Sequence, residues 1–310
     1  MRVSRIVTNS EARLPQQVSR RRFMGGAVGL AALGSFAAAC QGDASPAANS
    51  SAASPSPVAA QSGGGASASP SPSATAAAGP DPQLLAQRYQ GLKPFAPAPA
   101  PPAVKPIALS VEHPQVFAKV PISDKVVFVT VDDGIEKDPA YIQMVKDFQI
   151  PITISLADTL IRDDYAYFEK LYQTGFVSIQ NHTVNHPLNM PSLSAQRQLD
   201  EISGQQQKLE REYGATPYLF RAPGGNYNSV TVNAVKQAGL KGMMNWKESM
   251  EIHDMQYQTA SHNLQPGDII LAHFRGPAQL KGETMVQMMI NLYKHIQAQG
   301  FTVADVTKYV

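Results

Sequence analysis

The sequence predicts an α/β domain built on a parallel sheet, and three observations support this prediction. Short apolar runs of the kind that form buried strands recur seven times after residue 125. Segments with a helical spacing of apolar residues separate most of them, and strands that alternate with helices form parallel sheets. Pro151 and Gly175 stand at two helix-to-strand joints, where chain breakers are expected. Seven strands within about two hundred residues favour a closed or nearly closed barrel, and an open doubly wound sheet is the alternative.

The predicted strands are four to six residues long. They comprise residues 126–131, 152–156, 177–181, 218–221, 242–245, 269–273 and 301–304. The predicted helices comprise residues 139–148, 163–174, 194–213, 229–238 and 285–299. In the longest of them, Leu199, Ile202 and Leu209 fall near one face, as expected for a helix that packs on a sheet.

The first 39 residues are predicted to be an export signal. Arginines 20–22 precede a modest apolar stretch, residues 24–39, which is too short and too weak for a comfortable membrane span. This arrangement resembles a twin-arginine signal peptide. Small residues then lead into Cys40, the single cysteine of the chain, as in a lipoprotein cleavage site. We expect Cys40 to be lipidated and to anchor the protein outside the cytoplasm, at the cell membrane. The alternative is an ordinary signal peptide that is cut after Ala39.

Residues 40–105 form a segment rich in Ala, Ser, Pro and Gly. Such a composition buries too little apolar surface to fold, so we expect a disordered tether up to residue 105 and a single folded domain over residues 106–310. The formal net charge is +2, with 26 basic and 24 acidic residues. This balance argues against a nucleic-acid partner, because a protein that binds nucleic acid usually has a concentrated basic face. We also expect the protein to be a monomer.

Polar side chains stand where most of the predicted strands end. The carboxyl ends of parallel strands meet at one face of a barrel, and that face carries the chemistry of barrel enzymes. One such residue would mean little, but five of the seven strands share the pattern. The residues are Asp132, Asp133, His182, Arg221, Asn245, Trp246 and His273.

Asp132 and Asp133 are adjacent carboxylates at the end of an apolar strand, a position that is costly unless they are paired or bind a metal. Strand alternation would point them to opposite faces, but a turn opened by Gly134 can bring both into one pocket. A surface turn with two solvated aspartates is the alternative.

His182 and His186 are four residues apart, and two histidines at this spacing on a helix share a face and can hold one metal ion. A pair of surface histidines is the alternative. With an aspartate as third ligand, the set would leave an open coordination position for water, which is the pattern of a catalytic metal site.

These residues make the chain resemble the polysaccharide deacetylases, also called NodB-homology proteins or carbohydrate esterase family 4. The resemblance covers about residues 125–310 and rests on five motifs that appear in the order of the family. They are Thr130-Val131-Asp132-Asp133-Gly134, His182-Thr183-Val184-Asn185-His186, Arg221-Ala222-Pro223-Gly224-Gly225, Asn245-Trp246 and Leu271-Ala272-His273.

The resemblance implies a distorted (β/α)7 barrel and a hydrolase that removes acetyl groups from an amino-sugar polymer, such as peptidoglycan or another cell-surface polysaccharide. It implies that Asp133, His182 and His186 bind a divalent metal, with zinc expected. By the same resemblance, Asp132 would be the general base, and Arg221 would keep it ionised and oriented.

Three further residues receive roles from the resemblance. The backbone N–H of Gly224 would help to bind the oxyanion. His273 would protonate the departing amine, and Trp246 would wall the pocket beside the acetyl methyl group.

The chain departs from the family pattern at two of these positions. Gly224 stands where an aromatic residue is usual, so a side wall is lost while the backbone donor remains. Asn245 stands where an aspartate is usual, and an amide can orient the imidazole of His273 but cannot stabilise its charged form. One of three nearby acidic residues could take over that task. They are Glu248, Glu251 and Asp254.

Two alternative functions follow from these departures and from the shared chemistry of acetyl transfer to water. The first is a lipoprotein that binds wall polysaccharide and has lost much of its turnover, although the intact Asp132, Asp133, His182 and His186 argue against it. The second is an esterase that removes O-acetyl groups with the same metal site.

Overall fold

The structure, a computed structural model, describes residues 81–310. The predicted export signal, Cys40 and the first part of the predicted tether lie outside the described residues. None of the helices between residues 81 and 310 is long and apolar enough to cross a membrane.

Within residues 81–310, ten strands form one sheet. They are β1 (Gln115–Phe117), β2 (Val126–Asp133), β3 (Ile152–Leu156), β4 (Val177–Asn181), β5 (Leu219–Phe220), β6 (Gly242–Met244), β7 (Glu248–Met250), β8 (Met255–Tyr257), β9 (Ile269–His273) and β10 (Thr302–Val303). Their order is β1-β6-β5-β4-β3-β2-β9-β7-β8, and β10 also pairs with β2. The pairs are parallel except for β7 with β8. The curled sheet and its helices form the distorted (β/α)7 barrel that the sequence predicted.

The same part of the chain contains seven α-helices. They are α1 (Pro82–Arg88), α2 (Pro139–Phe148), α3 (Asp158–Ile161), α4 (Tyr165–Tyr172), α5 (Ala195–Tyr213), α6 (Ser229–Gln237) and α7 (Met285–Ala298). Side chains that accept hydrogen bonds from the first turn define where most of them begin, for example Asp138 at α2 and Ser194 at α5. The left-handed Gly214 ends α5, because only a residue without a Cβ adopts this conformation readily.

The two faces of β2 separate two apolar layers. Val127, Val129 and Val131 belong to the large core that includes the buried faces of α2, α4 and α7. Val126 and Phe128 belong to a second cluster, which lies on the other side of the sheet. Since alternate residues of a strand face opposite sides, Asp132 continues the face of Val126 and Phe128.

Residues 81–105 differ from the predicted disordered tether. Leu85, Tyr89 and Leu92 are buried in the large core, and the Tyr89 hydroxyl donates to Asp147 Oδ2 at 2.7 Å. The Tyr89 ring also contacts Phe148, with centroids 5.0 Å apart. Three large apolar side chains in this segment recur at intervals of three and four residues, as in an amphipathic helix. The overall composition does not show this spacing. The ordered chain therefore includes residues on the N-terminal side of the predicted boundary at 106.

Three predicted strands, residues 152–156, 177–181 and 269–273, agree with β3, β4 and β9 to the residue. The sequence missed β1, β7 and β8, which have only three residues each, and the short helices α1 and α3. Such segments are too short to establish a period of their own. The β7–β8 hairpin matters for function, because it contributes to the pocket described below.

Candidate functional site

The polar residues at the strand ends meet at one edge of the sheet, as predicted. In the pairing register, Asp132 stands beside His273, Asp133 beside Leu156, and Asn181 beside Phe220. His182 and Arg221 follow Asn181 and Phe220 directly in the chain. The parallel topology thus collects residues that are up to 141 positions apart, such as Asp132 and His273.

Arg221 and Asp132 form a buried ion pair. The side chain of Arg221 is fully buried, and its Nη1 lies 2.9 Å from Asp132 Oδ1 and 2.7 Å from Thr130 Oγ1. Its Nε donates to the carbonyl oxygen of Met244 at 2.8 Å. A buried charge needs such partners, since leaving it unpaired is costly. The pair therefore fixes one carboxylate oxygen of Asp132 and leaves Oδ2 on the side of His182, whose Nε2 is 3.8 Å away.

The side chain of Asp133 reaches the same pocket because its backbone leaves the strand conformation. Asp133 has φ +80°, which is uncommon for a residue with a Cβ. The alternation is therefore broken at Asp133 itself, one residue earlier than the turn expected at Gly134. Gly134 also has a positive φ, +101°, and a Cβ at this position would collide with Ile161. Backbone strain of this kind persists only where surrounding contacts hold it.

His182 and His186 do not lie on a helix, which corrects the geometry suggested by their spacing. Residues 182–187 form a loop after β4, with positive φ at Thr183 (+76°) and His186 (+53°). The Thr183 hydroxyl accepts a hydrogen bond from the His186 backbone N–H at 3.0 Å. The compact loop brings the two imidazoles together, with ring centroids 4.9 Å apart.

Glu201 on α5 holds this loop from behind and was not identified from the sequence. Its carboxylate accepts hydrogen bonds from the backbone N–H and the side-chain amide of Asn185 at 2.8 and 2.9 Å. Its backbone carbonyl oxygen accepts from the Val184 N–H at 3.1 Å. Arg197 Nη2 lies 2.9 Å from the same carboxylate, which is almost fully buried. The first turn of α3 adds two further bonds, from the Asp158 and Thr159 N–H groups to the carbonyl oxygens of residues 183 and 184.

Asp133, His182 and His186 can offer one ligand atom each within 4.8 Å of one another. Asp133 Oδ1 is 3.4 Å from His182 Nε2 and 3.1 Å from His186 Nε2. Ligands about 2.1 Å from a tetrahedral zinc ion stand about 3.4 Å apart, so this donor set fits a divalent metal with room for a further ligand. Burial opposes ionisation of Asp133, but the two histidines outweigh it and hold the pKa of this carboxyl well below its usual range.

The hydrogen bond that Nδ1 makes fixes the tautomer of His182. Nδ1 lies 2.7 Å from the carbonyl oxygen of Arg221, which can only accept, so Nδ1 carries the proton. Nε2 is then the nitrogen that can offer a lone pair to a metal ion held with Asp133 and His186. A backbone carbonyl that orients a histidine in this way is common behind metal ligands.

His273 lies at the wall of the same pocket and is partly buried. Burial lowers the pKa of its imidazole to about 4, and the positive charge of Arg275 acts in the same direction. Its Nδ1 has no hydrogen-bond partner among the described residues. The expected bracing of His273 by Asn245 is therefore not made: Asn245 Oδ1 is also without a partner and lines a separate cavity of about 200 Å³ beside Trp246.

The pocket at this edge of the sheet has a volume of about 380 Å³ and contains most of the predicted site residues. Of the three acidic residues that could replace the missing aspartate, only Glu251 lines it; Glu248 is buried on β7. Leu188, Ser249 and Arg275 also line the pocket and were not identified from the sequence. They belong to no motif and are brought in by the fold. The lining residues are Asp132, Asp133, His182, His186, Leu188, Gly224, Trp246, Ser249, Glu251, Leu271, His273 and Arg275.

Gly224 and Gly225 shape one side of this pocket. Gly224 has φ +61°, a conformation that glycine adopts more readily than an aromatic residue. Its N–H has no acceptor among the described residues. A Cβ on Gly225 would approach the Trp246 ring to 2.8 Å, so this glycine allows the indole to pack directly on the backbone.

Comparisons with known proteins bear on the family and the fold of the chain. The family model described as "Polysaccharide deacetylase" matches residues 119–243. An uncharacterized protein of Streptomyces coelicolor is 32% identical over 198 residues, which are 64% of this chain and 78% of that protein. A bifunctional xylanase/xylan deacetylase of Cellvibrio japonicus is 30% identical over 99 residues, 31% of this chain and 15% of the longer enzyme.

Solved structures of low sequence identity share the fold. Bacillus subtilis PdaA, a family 4 carbohydrate esterase, is 16% identical, with a TM-score of 0.52 over 70% of this chain and 95% of that one. A peptidoglycan N-acetylglucosamine deacetylase is 18% identical, with a TM-score of 0.53 over 64% of this chain and 93% of the other. A pseudoenzyme of the same esterase family from Bacillus anthracis is also 18% identical, with a TM-score of 0.53 over 63% and 69% of the two chains.

Proposed function

Because the chain belongs to the polysaccharide deacetylase family, we propose that it is a metal-dependent hydrolase that removes N-acetyl groups from an amino-sugar polymer. The observation that carries this proposal is the convergence of Asp133, His182 and His186 within 4.8 Å. This donor set lies in one pocket with a second carboxylate, Asp132, whose charge Arg221 balances. Metal-assisted hydrolysis uses both a metal site and a separate base, and the proposed metal ligands and Asp132 are adjacent here.

Asp132 is the proposed general base. Its Oδ1 is held by Arg221, and its Oδ2 faces the proposed ligands, so an attacking water molecule at the open metal position would be within its reach. Arg221 balances the charge of the carboxylate and holds its orientation. Because the pair is buried, its orientation is set before the substrate arrives.

Asp133, His182 and His186 would hold the metal, with zinc as the ion we propose. A divalent metal bound there would activate water near neutral pH and polarise the acetyl carbonyl group. His182 presents Nε2 because its Nδ1–H is bonded to the Arg221 carbonyl oxygen. The loop contacts of Glu201 keep both imidazoles in place.

Gly224, Trp246 and Leu188 make part of the pocket suited to the acetyl group. The free N–H of Gly224 is the proposed donor to the oxyanion, and such donors stabilise the charge that develops on the carbonyl oxygen. Trp246 and Leu188 offer apolar surface for the methyl group. Leu188 occupies space beside Gly224, where a Cβ would lie 3.4 Å from its Cδ2.

His273 is the proposed acid that protonates the departing amine. It is neutral at neutral pH in the free protein, because burial and Arg275 lower its pKa to about 4. It must therefore gain a proton during the reaction, and Asp132 is the neighbouring group from which that proton comes. Without a hydrogen bond at Nδ1 the cationic form is poorly stabilised, so we propose slow turnover.

The polymer is proposed to lie outside the cytoplasm, in the cell wall or another surface layer. The support is the N-terminal sequence, in which a twin-arginine-type signal leads into Cys40. A lipid anchor at Cys40 would place the protein at the outer face of the membrane, close to such a substrate.

The proposal is tested by acetate release from the purified protein, with N-acetylated and O-acetylated polymers as substrates. Acetate should appear from the N-acetylated polymers, should cease after chelation and should return with added zinc. His186→Ala should contain less metal by elemental analysis than the wild type or His253→Ala, a change at an exposed histidine outside the pocket. Equal metal content in all three proteins would exclude the proposed ligand set, and release from O-acetyl groups alone would favour the esterase alternative.

The unbraced His273 also favours a second candidate, a wall-binding protein with lost turnover. Under this alternative the protein binds acetylated polysaccharide but releases no acetate from any of these substrates, even when it is loaded with zinc. Binding without release would therefore replace the enzymatic proposal.

A further inference from the structure

The wall of the pocket continues past the end of β9. Leu271 and His273 are alternate residues of β9, Arg275 follows the strand by two positions, and all three line the pocket. On the neighbouring β7, Ser249 pairs with Leu271 and lines the pocket, as does Glu251, which directly follows that strand. Alternate residues of a strand share one face of a sheet, which accounts for Leu271 and His273. The segment that directly follows β9 brings Arg275 into the same pocket.

The guanidinium of Arg275 is poorly satisfied. An arginine offers five N–H donors, yet its one polar side-chain contact within residues 81–310 is a 3.7 Å approach of Nη1 to Glu251 Oε2. That separation is longer than a hydrogen bond, and the two side chains are 32% and 47% exposed. Such a pair contributes little to stability. Arg221, in contrast, donates four hydrogen bonds, to Thr130, Asp132, Met244 and Asn245.

Arg275 is also the single Lys or Arg side chain that lines this pocket in the described part of the chain. Leu188, Gly224 and Trp246 also line the pocket and carry no charged group. A sugar placed over the proposed metal ligands would thus have both an apolar surface and a cation with free donors within the same pocket.

We infer that Arg275 binds an anionic substituent, a carboxylate or a phosphate, on the sugar that occupies the pocket. The substrate class would then be an acidic amino-sugar polymer, in which acetylated residues carry a negative group or alternate with residues that do. The planar guanidinium fits the two oxygens of such a group and binds it through parallel hydrogen bonds. This inference rests on the proposed function, because it assigns a substrate class to the same pocket.

The test compares three acetylated oligosaccharides of equal length: a neutral N-acetylglucosamine oligomer, a peptidoglycan glycan strand freed of peptides, and a phosphate-bearing oligomer. The measured quantity is the ratio of kcat/KM for each acidic substrate to that for the neutral one. Any effect of a mutation on His273 enters both rates and cancels in this ratio. The wild type should prefer an acidic substrate, and Arg275→Gln should lower the ratio roughly ten-fold or more, since hydrogen bonds to charged groups are strong. Arg275→Lys, which keeps the charge but not the planar fork, should give an intermediate ratio.

Glu251→Gln is the matched variant that distinguishes substrate binding from a local ion pair. Removal of this carboxylate releases Arg275 and removes a repulsive charge, so the acidic preference should rise. If Arg275 and Glu251 served only to stabilise each other, both substitutions would change the ratio in the same direction, and the inference would be wrong. An unchanged ratio in Arg275→Gln would also refute it.

Calorimetric binding of the same oligosaccharides to all four proteins separates this inference from the proposed function. One outcome is that none of the proteins releases acetate, the wild type binds acidic oligosaccharides more tightly than neutral ones, and Arg275→Gln does not. In that case the anion site is supported and the enzymatic function is wrong. Should the wild type release acetate from neutral and acidic substrates with equal kcat/KM, the enzymatic function stands and the anion site falls.

Discussion

Nδ1 of His182 donates a hydrogen bond to the backbone carbonyl oxygen of Arg221 at 2.7 Å. The side chain of Arg221 holds Asp132, so one residue orients a proposed metal ligand through its backbone and the proposed base through its side chain. Arg221, at the end of β5, thereby links the position of a proposed metal ligand to that of the proposed base. Disturbance of Arg221 should affect both the stability of the core and the geometry of the site.

Arg221→Gln should reduce the free energy of unfolding by about 3 kcal/mol or more. The reason is that Asp132 would remain as a buried carboxylate without its partner, and breaking a buried pair on one side is strongly destabilising. Chemical denaturation measures the change. Adding Asp132→Asn to the same protein removes the orphaned charge and should recover part of the loss; a double variant that is less stable than Arg221→Gln would contradict this explanation.

Glu201→Gln should weaken zinc binding about ten-fold, which is typical for residues that support metal ligands from behind. The carboxylate accepts two hydrogen bonds from Asn185. A glutamine at this position would place its own amide N–H group against one of these two N–H groups, and that hydrogen bond would be lost. The loop between His182 and His186 would then lose part of its support. Competition with a chelator of known affinity gives the dissociation constant. Glu210→Gln changes an exposed glutamate of the same helix and should bind zinc as the wild type does.

Asn245→Asp should raise turnover by roughly ten-fold or more, which corresponds to about 1.4 kcal/mol of barrier. A carboxylate that pairs with the unpartnered Nδ1 of His273 favours the imidazolium, so the pKa of His273 should rise from its lowered value, and the activity that depends on this proton should extend to higher pH. The pH profile of kcat for both proteins tests this directly. An active enzyme with the same rate and the same profile after the substitution would indicate that another group, with Glu251 as the nearest candidate in the pocket, serves His273.

Glu248→Gln should stabilise the protein above neutral pH. Burial, followed by the neighbouring Asp268 carboxylate, raises the pKa of Glu248 to about 8. The folded state thus keeps the proton while the unfolded state loses it above about pH 4.5, so stability is complete below that pH and declines as pH rises towards 8. At pH 7.5 the glutamine variant should melt about 2–4 °C higher, equivalent to about 1 kcal/mol, with little difference at pH 4.5. A gain of equal size at both pH values would rule out ionisation as the cause.

Cys40→Ser should release the protein from the membrane fraction. The prediction rests on the position of Cys40 directly after the apolar part of the signal, where a lipoprotein would be acylated. Acyl chains on Cys40 would account for the attachment. Fractionation of cells that express either form measures the effect, and a serine variant that sediments with membranes would show that another element provides the anchor.

The sequence by itself determined the strands and the motif residues. Runs such as 152–156 and 269–273 are long enough and apolar enough to be strands in any arrangement of the chain, because burial of both faces leaves no other place for them. The parallel pairing of these strands then requires Asp132, His182, Arg221 and His273 to meet at one edge of the sheet. The site was predictable to this extent because the signal lies in local composition and chain order.

Only the tertiary structure decided how the residues point. Asp133, Thr183 and His186 adopt positive φ values that no local pattern favours, and contacts from distant segments, such as those of Glu201 and α3, stabilise them. The same applies to Asn245, which the chain places beside Trp246 and the fold places outside the pocket of His273. Arg275 enters that pocket from the segment that directly follows β9, while its partner Glu251 comes from a hairpin too short to be recognised in the sequence. The local sequence does not predict conformations that depend on contacts between remote segments, because the contacts that stabilise them form only when those segments meet.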